Sequence, residues 1–369
     1  MRKKKKLIIF MPSIEGGGVE KNLFIISNYL SSKLKNVHLI TISKNFNNFF
    51  KNIKIINPSS NFWNNFNRRT KYIVCLMILI RVIFKDKNYV VFAFQANLYC
   101  TIICKLLGIK IIARPNSSPS GLSKNFIKKF MYKKLLKLTD SIIVNSLDFQ
   151  REFTKMFNVK SVCIYNPLNK KEVISKSKKY LNFSFFKNKS RQLNIINVAR
   201  FTDQKDHLTL LKAVNLIKNK INFRLLIVGR GVNKIKMLNF INENGLQKKV
   251  KIINFQNNPY KYIGRSNLFV LSSKFEGLPN VLLEAVALKK FIISSNCPTG
   301  PREILMNGKG GELFKVGDHK ALSQKIMSFF NNKNRFKKKI NHSFKSLHRF
   351  DYYLNLEKYL NVVKSLTDN

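Results

Sequence analysis

The chain has 369 residues, 45% of them apolar, and sets 68 lysines and arginines against 18 aspartates and glutamates, a formal charge of +50. That length and apolar content suffice for two globular domains and exclude a disordered chain; five cysteines with no CxxC pair and five scattered histidines exclude a disulfide framework and a zinc site. The charge calls for an anionic partner, nucleic acid or anionic lipid, although a composition rich in Lys, Asn, Ile and Phe throughout also carries the bias of an AT-rich coding sequence.

In chain order, "MRKKKKLIIFMPS" opens with charge, but only "LIIFM" precedes Pro12, too short for the apolar core of a signal peptide. It reads as a first buried strand, 7–11. Val19, Leu23, Ile26, Leu30 and Leu34 then recur near the 3.6 period of a helix. Further β-rich runs are "VHLITI" (37–42), "VVFAF" (90–94), "IKIIA" (109–113), "SIIVN" (141–145) and "SVCIY" (from 161). Between them, "YIVCLMILIRVIF" (72–84) contains Arg81 and falls short of the ~20 residues that span a bilayer, so it reads as a core helix, with a membrane-dipping segment as the other reading.

The stretch 125–138 interleaves Phe, Tyr and Lys, as suits single-stranded nucleic acid or a membrane surface. On a helical wheel Lys134 and Lys137 return beside Phe126 and Phe130, so its amphipathic stripe is imperfect. The polar segment 169–192 reads as a linker. A second alternating series follows at 193–199, 223–228, 250–254, 268–273 and 291–295, and "FDYYLNLEKYLNVVKSL" (350–366) reads as a helix with an aromatic face. Continuous apolar strands alternating with helices imply parallel sheets covered on both faces. The expected organisation is an N-terminal Rossmann-like domain over 1–180, a second over 181–345, and a terminal helix within 346–369 packing back on the first.

Ligands of such sheets bind beyond the carboxyl ends of the strands. "FMPSIEGGGVEKN" (10–22) is a strand end, a glycine loop and a helix start, where the amides of Gly16, Gly17 and Gly18 either approach a phosphate or simply make a tight connection. "NVARFTDQKDH" (197–207) offers Arg200 and Lys205, two cations suited to a diphosphate or else solvated surface charge. "LSSKFEGLPNVLLEA" (271–285) carries Glu276, turns through Gly277, Leu278, Pro279 and Asn280, and starts a helix near Pro279, with Val281 and Glu284 following. A helix start favours an anion, and carboxylates accept from diols. The segment therefore matches a ligand with hydroxylated ends and an anionic middle, such as a nucleotide diphosphate sugar; the alternative, an acidic helix start complementing the dipole, leaves Glu276 poorly explained.

"EGLPNVLLE" resembles the E-x7-E motif of family 4 of the retaining GT-B glycosyltransferases, "GGGVEKN" resembles its glycine loop, and "ARFTDQK" its Arg and Lys pair. "YKYIGRSNLFVLSS" (260–273) and "CPTGPREIL" (297–305) are similar to bacterial members that build lipid-linked or surface polysaccharides. The resemblance implies an α/β GT-B fold, two Rossmann-like doubly wound domains facing a central cleft. It implies transfer of a hexose or N-acetylhexosamine from a nucleotide sugar, UDP-linked by expectation, to a lipid-linked, lipopolysaccharide or other surface glycan. Arg200 and Lys205 would stabilise the leaving diphosphate, Glu276 would face the donor sugar and Glu284 would hold the ribose. Gly17, Gly18, Gly277, Leu278, Pro279, Asn280 and Val281 would line the substrates. The chain departs from the pattern at Arg114, Asn116 and Ser117, where many members carry a histidine, at Asn254, often glycine, and at 287–294, which lacks the usual Gly-x-Pro.

No D-x-D occurs, so no metal and no cofactor beyond the donor is expected. An anionic membrane surface is preferred to nucleic acid as the further partner, which places the protein in the cytoplasm, peripheral on the inner membrane face. The rival readings are a non-catalytic polyanion or membrane binder and a GT-B sugar-nucleotide epimerase.

Overall fold

Apolar runs that are hydrophobic on both faces fold as parallel strands, because only helices on each side of the sheet can cover them. The computed structural model describes residues 5–60, 62–63, 66–116, 126–186 and 192–368. It divides into two units, residues 1–167 with 352–369, and residues 168–351.

The first unit runs β1 (Lys6–Phe10), α1 (Gly18–Lys33), β2 (Val37–Ile40), β3 (Lys54–Ile56), α2 (Arg68–Lys85), β4 (Tyr89–Ala93), α3 (Asn97–Leu106), β5 (Lys110–Ala113), α4 (Phe126–Lys137), β6 (Ser141–Val144), α5 (Leu147–Phe157) and β7 (Val162–Cys163). Its strands are all parallel in the order β3-β2-β1-β4-β5-β6-β7. Alternate residues of β1 feed opposite faces: Leu7 and Ile9 join Leu23, Ile26 and Leu30 of α1, while Ile8 and Phe10 join Cys75, Leu79 and Ile83 of α2. Thus the helix-period residues of α1 meet the sheet as expected, and 72–84 lies within a helix whose inner side is core. Asn67 caps α2 by accepting from the Thr70 amide at 3.0 Å.

The second unit runs α6 (Lys170–Ser177), β8 (Leu193–Val198), α7 (His207–Leu216), β9 (Phe223–Val228), α8 (Lys234–Glu243), β10 (Val250–Ile253), α9 (Tyr260–Arg265), β11 (Leu268–Leu271), α10 (Asn280–Ala287), β12 (Phe291–Ser295), α11 (Pro301–Ile304), β13 (Glu312–Phe314), α12 (His319–Asn331) and α13 (Lys337–Lys345). Its parallel order is β10-β9-β8-β11-β12-β13. The chain then returns as α14 (Tyr352–Thr367) to the first unit, where Leu356, Tyr359, Leu360 and Val363 complete the core beside α1.

Two features differ from the sequence reading. The division falls at 167/168 rather than 180/181, because the polar segment read as linker contains α6, whose Val173 is buried and whose Lys176 carbonyl accepts from Asn258 of the second unit at 2.9 Å. Edge strands β3 and β13 were not expected; at three residues each they are too short to show a period. In both sheets the order reverses between neighbours, β1 with β4 and β8 with β11, and such a switch point opens a crevice where two loops diverge.

Candidate active site

Every candidate catalytic or substrate-binding residue in the second unit lies on a loop or helix that leaves β8 or β11, the two strands of its switch point. After β8 the chain is clamped to the end of β9: the Ala199 amide donates to the Val228 carbonyl at 3.1 Å and the Phe201 amide to that of Arg230 at 2.8 Å. The approach requires glycine, since a Cβ at Gly229 would lie 1.9 Å from the Ala199 carbonyl oxygen. Phe201 is buried, so Arg200 beside it stays exposed at the strand end.

The loop then makes a short turn over Asp203–Lys205 and enters α7. Asp206 caps that helix, accepting from the Thr209 hydroxyl at 2.7 Å. Gln204 and Lys205 are thereby held against the loop after β11: the Gln204 side chain donates to the Phe275 carbonyl at 2.9 Å, and the Lys274 amide donates to the Gln204 carbonyl at 2.8 Å. At the junction Lys205 Nζ lies 2.6 Å from Glu276 Oε1, both side chains being nearly buried. Ser273 donates its hydroxyl to the same oxygen at 2.6 Å. The pair is charge-assisted and fixes the carboxylate's position, while its other oxygen, Oε2, takes no part in these contacts.

A third segment supports the turn. Thr299 donates its hydroxyl to the Glu276 carbonyl at 2.5 Å, and Ser295 donates its own to the Ser273 carbonyl at 2.6 Å. Gly300 follows with φ of +80°, and a Cβ there would stand 2.0 Å from the Gly277 carbonyl oxygen. Gly277, Leu278 and Pro279 are buried, and Asn280 and Val281 half-buried. Pro279 is the cap residue and α10 begins at Asn280, so the amides of the first turn face the end of the loop. One turn on, Glu284 is buried and accepts from the Tyr260 hydroxyl at 3.3 Å. Burial pushes the nearby Cys297 thiol up to about 12, so it stays a neutral packing group.

The sequence reading singled out Arg200, Lys205, Glu276 and Glu284, of which the structure joins Lys205 to Glu276 directly. It missed Ser273, which donates to the Glu276 carboxylate three residues on, and Thr299, Gly300 and Gly229, which meet backbone carbonyls supplied by other segments. Ser273 and Thr299 lie inside the quoted motifs; nothing about their spacing marked them.

In the first unit the corresponding switch point joins the loops after β1 and β4, where Ser13 and Gln95 exchange two hydrogen bonds, 3.2 and 2.9 Å. The Gly17 amide, expected to meet a phosphate, donates instead to Glu20 Oε2 at 2.9 Å, closing the start of α1 on itself. Arg114 is buried, donating to the Tyr359 hydroxyl at 3.1 Å, to Asn166 Oδ1 at 2.9 Å and to Asn116. Ser117 lies outside the described residues. Among the described residues no group of three or more His, Cys, Asp or Glu stands where it could hold a metal ion, and no helix is long and apolar enough to cross a membrane.

Residues 181–355 match the family described as glycosyl transferases group 1. The chain is 43% identical over 111 residues to an uncharacterized glycosyltransferase of Methanocaldococcus jannaschii, covering 30% of this chain and 27% of that one. It is 28% identical over 236 residues, 61% of this chain and 62% of the other, to the N-acetylgalactosamine-N,N'-diacetylbacillosaminyl-diphospho-undecaprenol 4-alpha-N-acetylgalactosaminyltransferase of Campylobacter jejuni. The alignments therefore span less than two thirds of these relatives. A structure of Anabaena HepE in complex with UDP superposes with a TM-score of 0.78 at 15% identity, covering 98% of this chain and 100% of that one. The fold is GT-B, two Rossmann-like domains each built on a parallel sheet.

Proposed function

We propose that this glycosyltransferase moves a hexose or N-acetylhexosamine from a UDP-sugar to a lipid-linked or surface-polysaccharide acceptor, retaining the anomeric configuration and using no metal. The observation that carries the reading is the ion pair of Lys205 with Glu276 at the switch point, in front of α10, whose first turn leads to Glu284. The name of the Campylobacter relative, with its diphospho-undecaprenol acceptor, and the UDP in the Anabaena structure support the choice of acceptor and donor.

In this reading the donor's diphosphate lies between the first amides of α10 and the side chains of Arg200 and Lys205. Glu284 accepts from the ribose hydroxyls, with Tyr260 setting its orientation. Glu276, steadied through Oε1 by Lys205 and Ser273, uses Oε2 for the sugar hydroxyls. The bond from the anomeric carbon to the diphosphate oxygen breaks as the acceptor oxygen bonds to the same face of that carbon, and the acceptor's proton passes to the departing diphosphate. The protein orients the reactants and neutralises the charge that builds on the leaving group, where cations held in place do the work of a metal.

Two substitutions separate the roles. Glu284→Ala should weaken UDP and UDP-sugar binding alike, by about tenfold or more, whereas Glu276→Ala should leave UDP binding intact and lower turnover at least ~100-fold. Calorimetric titration with UDP and with UDP-sugars reads both; equal losses of UDP affinity would refute the assignment. Transfer abolished by a chelator and restored by magnesium would refute the metal-free mechanism. Stabilisation by GDP- or ADP-sugars in place of UDP-sugars would reassign the donor.

A further inference from the structure

Helices α2, α3 and α4 lie side by side on one face of the first unit's sheet, α2 against α3 and α3 against α4. Their inner sides are core: Cys75, Leu79, Ile83, Cys100, Cys104 and Leu136 are all buried. A helix on the surface of a soluble protein normally turns a polar side outward. These three do not. Ile73 and Phe84 of α2 are 59% and 67% exposed, Leu106 of α3 is 80% exposed, and Ile127 and Phe130 of α4 are 68% and 52% exposed. Single exposed apolar residues are ordinary, but three adjacent helices that all expose them make a patch, and patches mark contact surfaces.

The charge around the patch identifies the occupant. Five basic residues lie on α2, one on α3 and five on α4, and none of the three helices carries a carboxylate. Lys134 extends over the Phe130 ring at 5.5 Å, and Arg68 over that of Tyr72 at 6.0 Å, so cations reach outward past apolar surface. A protein partner would have to be both apolar and strongly acidic over this area. An anionic bilayer presents acyl chains beneath a layer of phosphates, and fits both features at once.

We propose that the α2, α3 and α4 face docks on an anionic phospholipid bilayer by inserting its outward apolar side chains below the headgroups while the surrounding lysines and arginines hold the phosphates. Charge alone predicts binding that salt abolishes; insertion predicts a part that salt leaves behind. The inference gives physical form to the membrane partner of the function proposed above and rests on that reading for its purpose, since a lipid-linked acceptor has to be met at the membrane.

The test is sedimentation of the full chain with vesicles of phosphatidylcholine and phosphatidylglycerol, and of phosphatidylcholine alone, at low and high salt. The wild type should bind the mixed vesicles at low salt and retain measurable binding at high salt. The triple variant Ile73→Ser, Phe84→Ser, Leu106→Ser should lose the salt-resistant part, its partitioning at high salt falling roughly 100-fold. The variant Lys129→Gln, Lys133→Gln, Lys134→Gln should lose mainly the salt-sensitive part. The serine substitutions are on exposed positions, so an unchanged melting temperature of the first unit certifies its fold. Binding wholly abolished by salt would overturn insertion. Absence of vesicle binding, with self-association that the serine variant abolishes, would overturn the bilayer and leave a second copy as the occupant. UDP binding tests the catalytic reading independently: vesicle binding without UDP binding would sink that reading and spare this one.

Discussion

Gly300 limits how closely two loops meet, since its Cα faces the Gly277 carbonyl where no side chain fits and its backbone is left-handed. Gly300→Ala must push the Gly277 turn outward and strain its own backbone, so the second unit should lose about 1–3 kcal/mol in denaturant unfolding, with UDP affinity falling alongside. His207 makes a different prediction. It is buried with neither ring nitrogen hydrogen-bonded, and burial, with Lys205 nearby, lowers its pKa from 6.5 to about 4. The native state keeps it neutral, so below pH 6.5 the unfolded chain takes up the proton first. Its contribution to stability is complete above that pH and declines down to about pH 4, by about 3 kcal/mol in total. His207→Leu should flatten that part of the stability-against-pH curve; an unchanged slope would show that other groups cause the acid loss. Glu276 and Glu284 were legible in the sequence because carboxylates are scarce and these two bracket a helix start after a strand. Thr299 and Gly300 were not, because each matters through what a remote segment brings against it, and His207 was not, because nothing in its spacing marks it as buried.

Elements were legible in proportion to their burial. The central strands β1, β4, β8, β9, β11 and β12 are buried almost throughout and stand out as unbroken apolar runs, whereas β3 and β13 are short edges that share their composition with loops. The helix α6 was hidden because one buried residue, Val173, leaves no apolar period. The terminal helix was readable as a helix, and its aromatic face has a specific use: Tyr359 is fully buried and accepts from Arg114 Nε. Tyr359→Phe leaves that donor unpaired inside the unit and should cost about 1.5–3 kcal/mol, while Leu356→Ala should cost about 2–5 kcal/mol by opening a cavity. Urea unfolding followed on the first unit measures both; losses below about 0.5 kcal/mol would mean that α14 is dispensable to that core.

At the scale of the whole molecule, each unit has its own sheet and its own buried clusters. Scanning calorimetry should therefore resolve two transitions, and UDP should raise only that of the second unit, by an amount that grows with the logarithm of its concentration. A single transition shifted as a whole would show that the units unfold together. The return of α14 has a consequence for synthesis. A ribosome releases residues 1–167 first, but four side chains of that unit's core, Leu356, Tyr359, Leu360 and Val363, follow only after the second unit has emerged complete. At roughly 5–20 residues per second the interval is on the order of 10–40 s, during which the nascent first unit exposes the apolar surface that α14 later covers. The unit begun first is the one finished last, and chaperone demand during translation should fall on it.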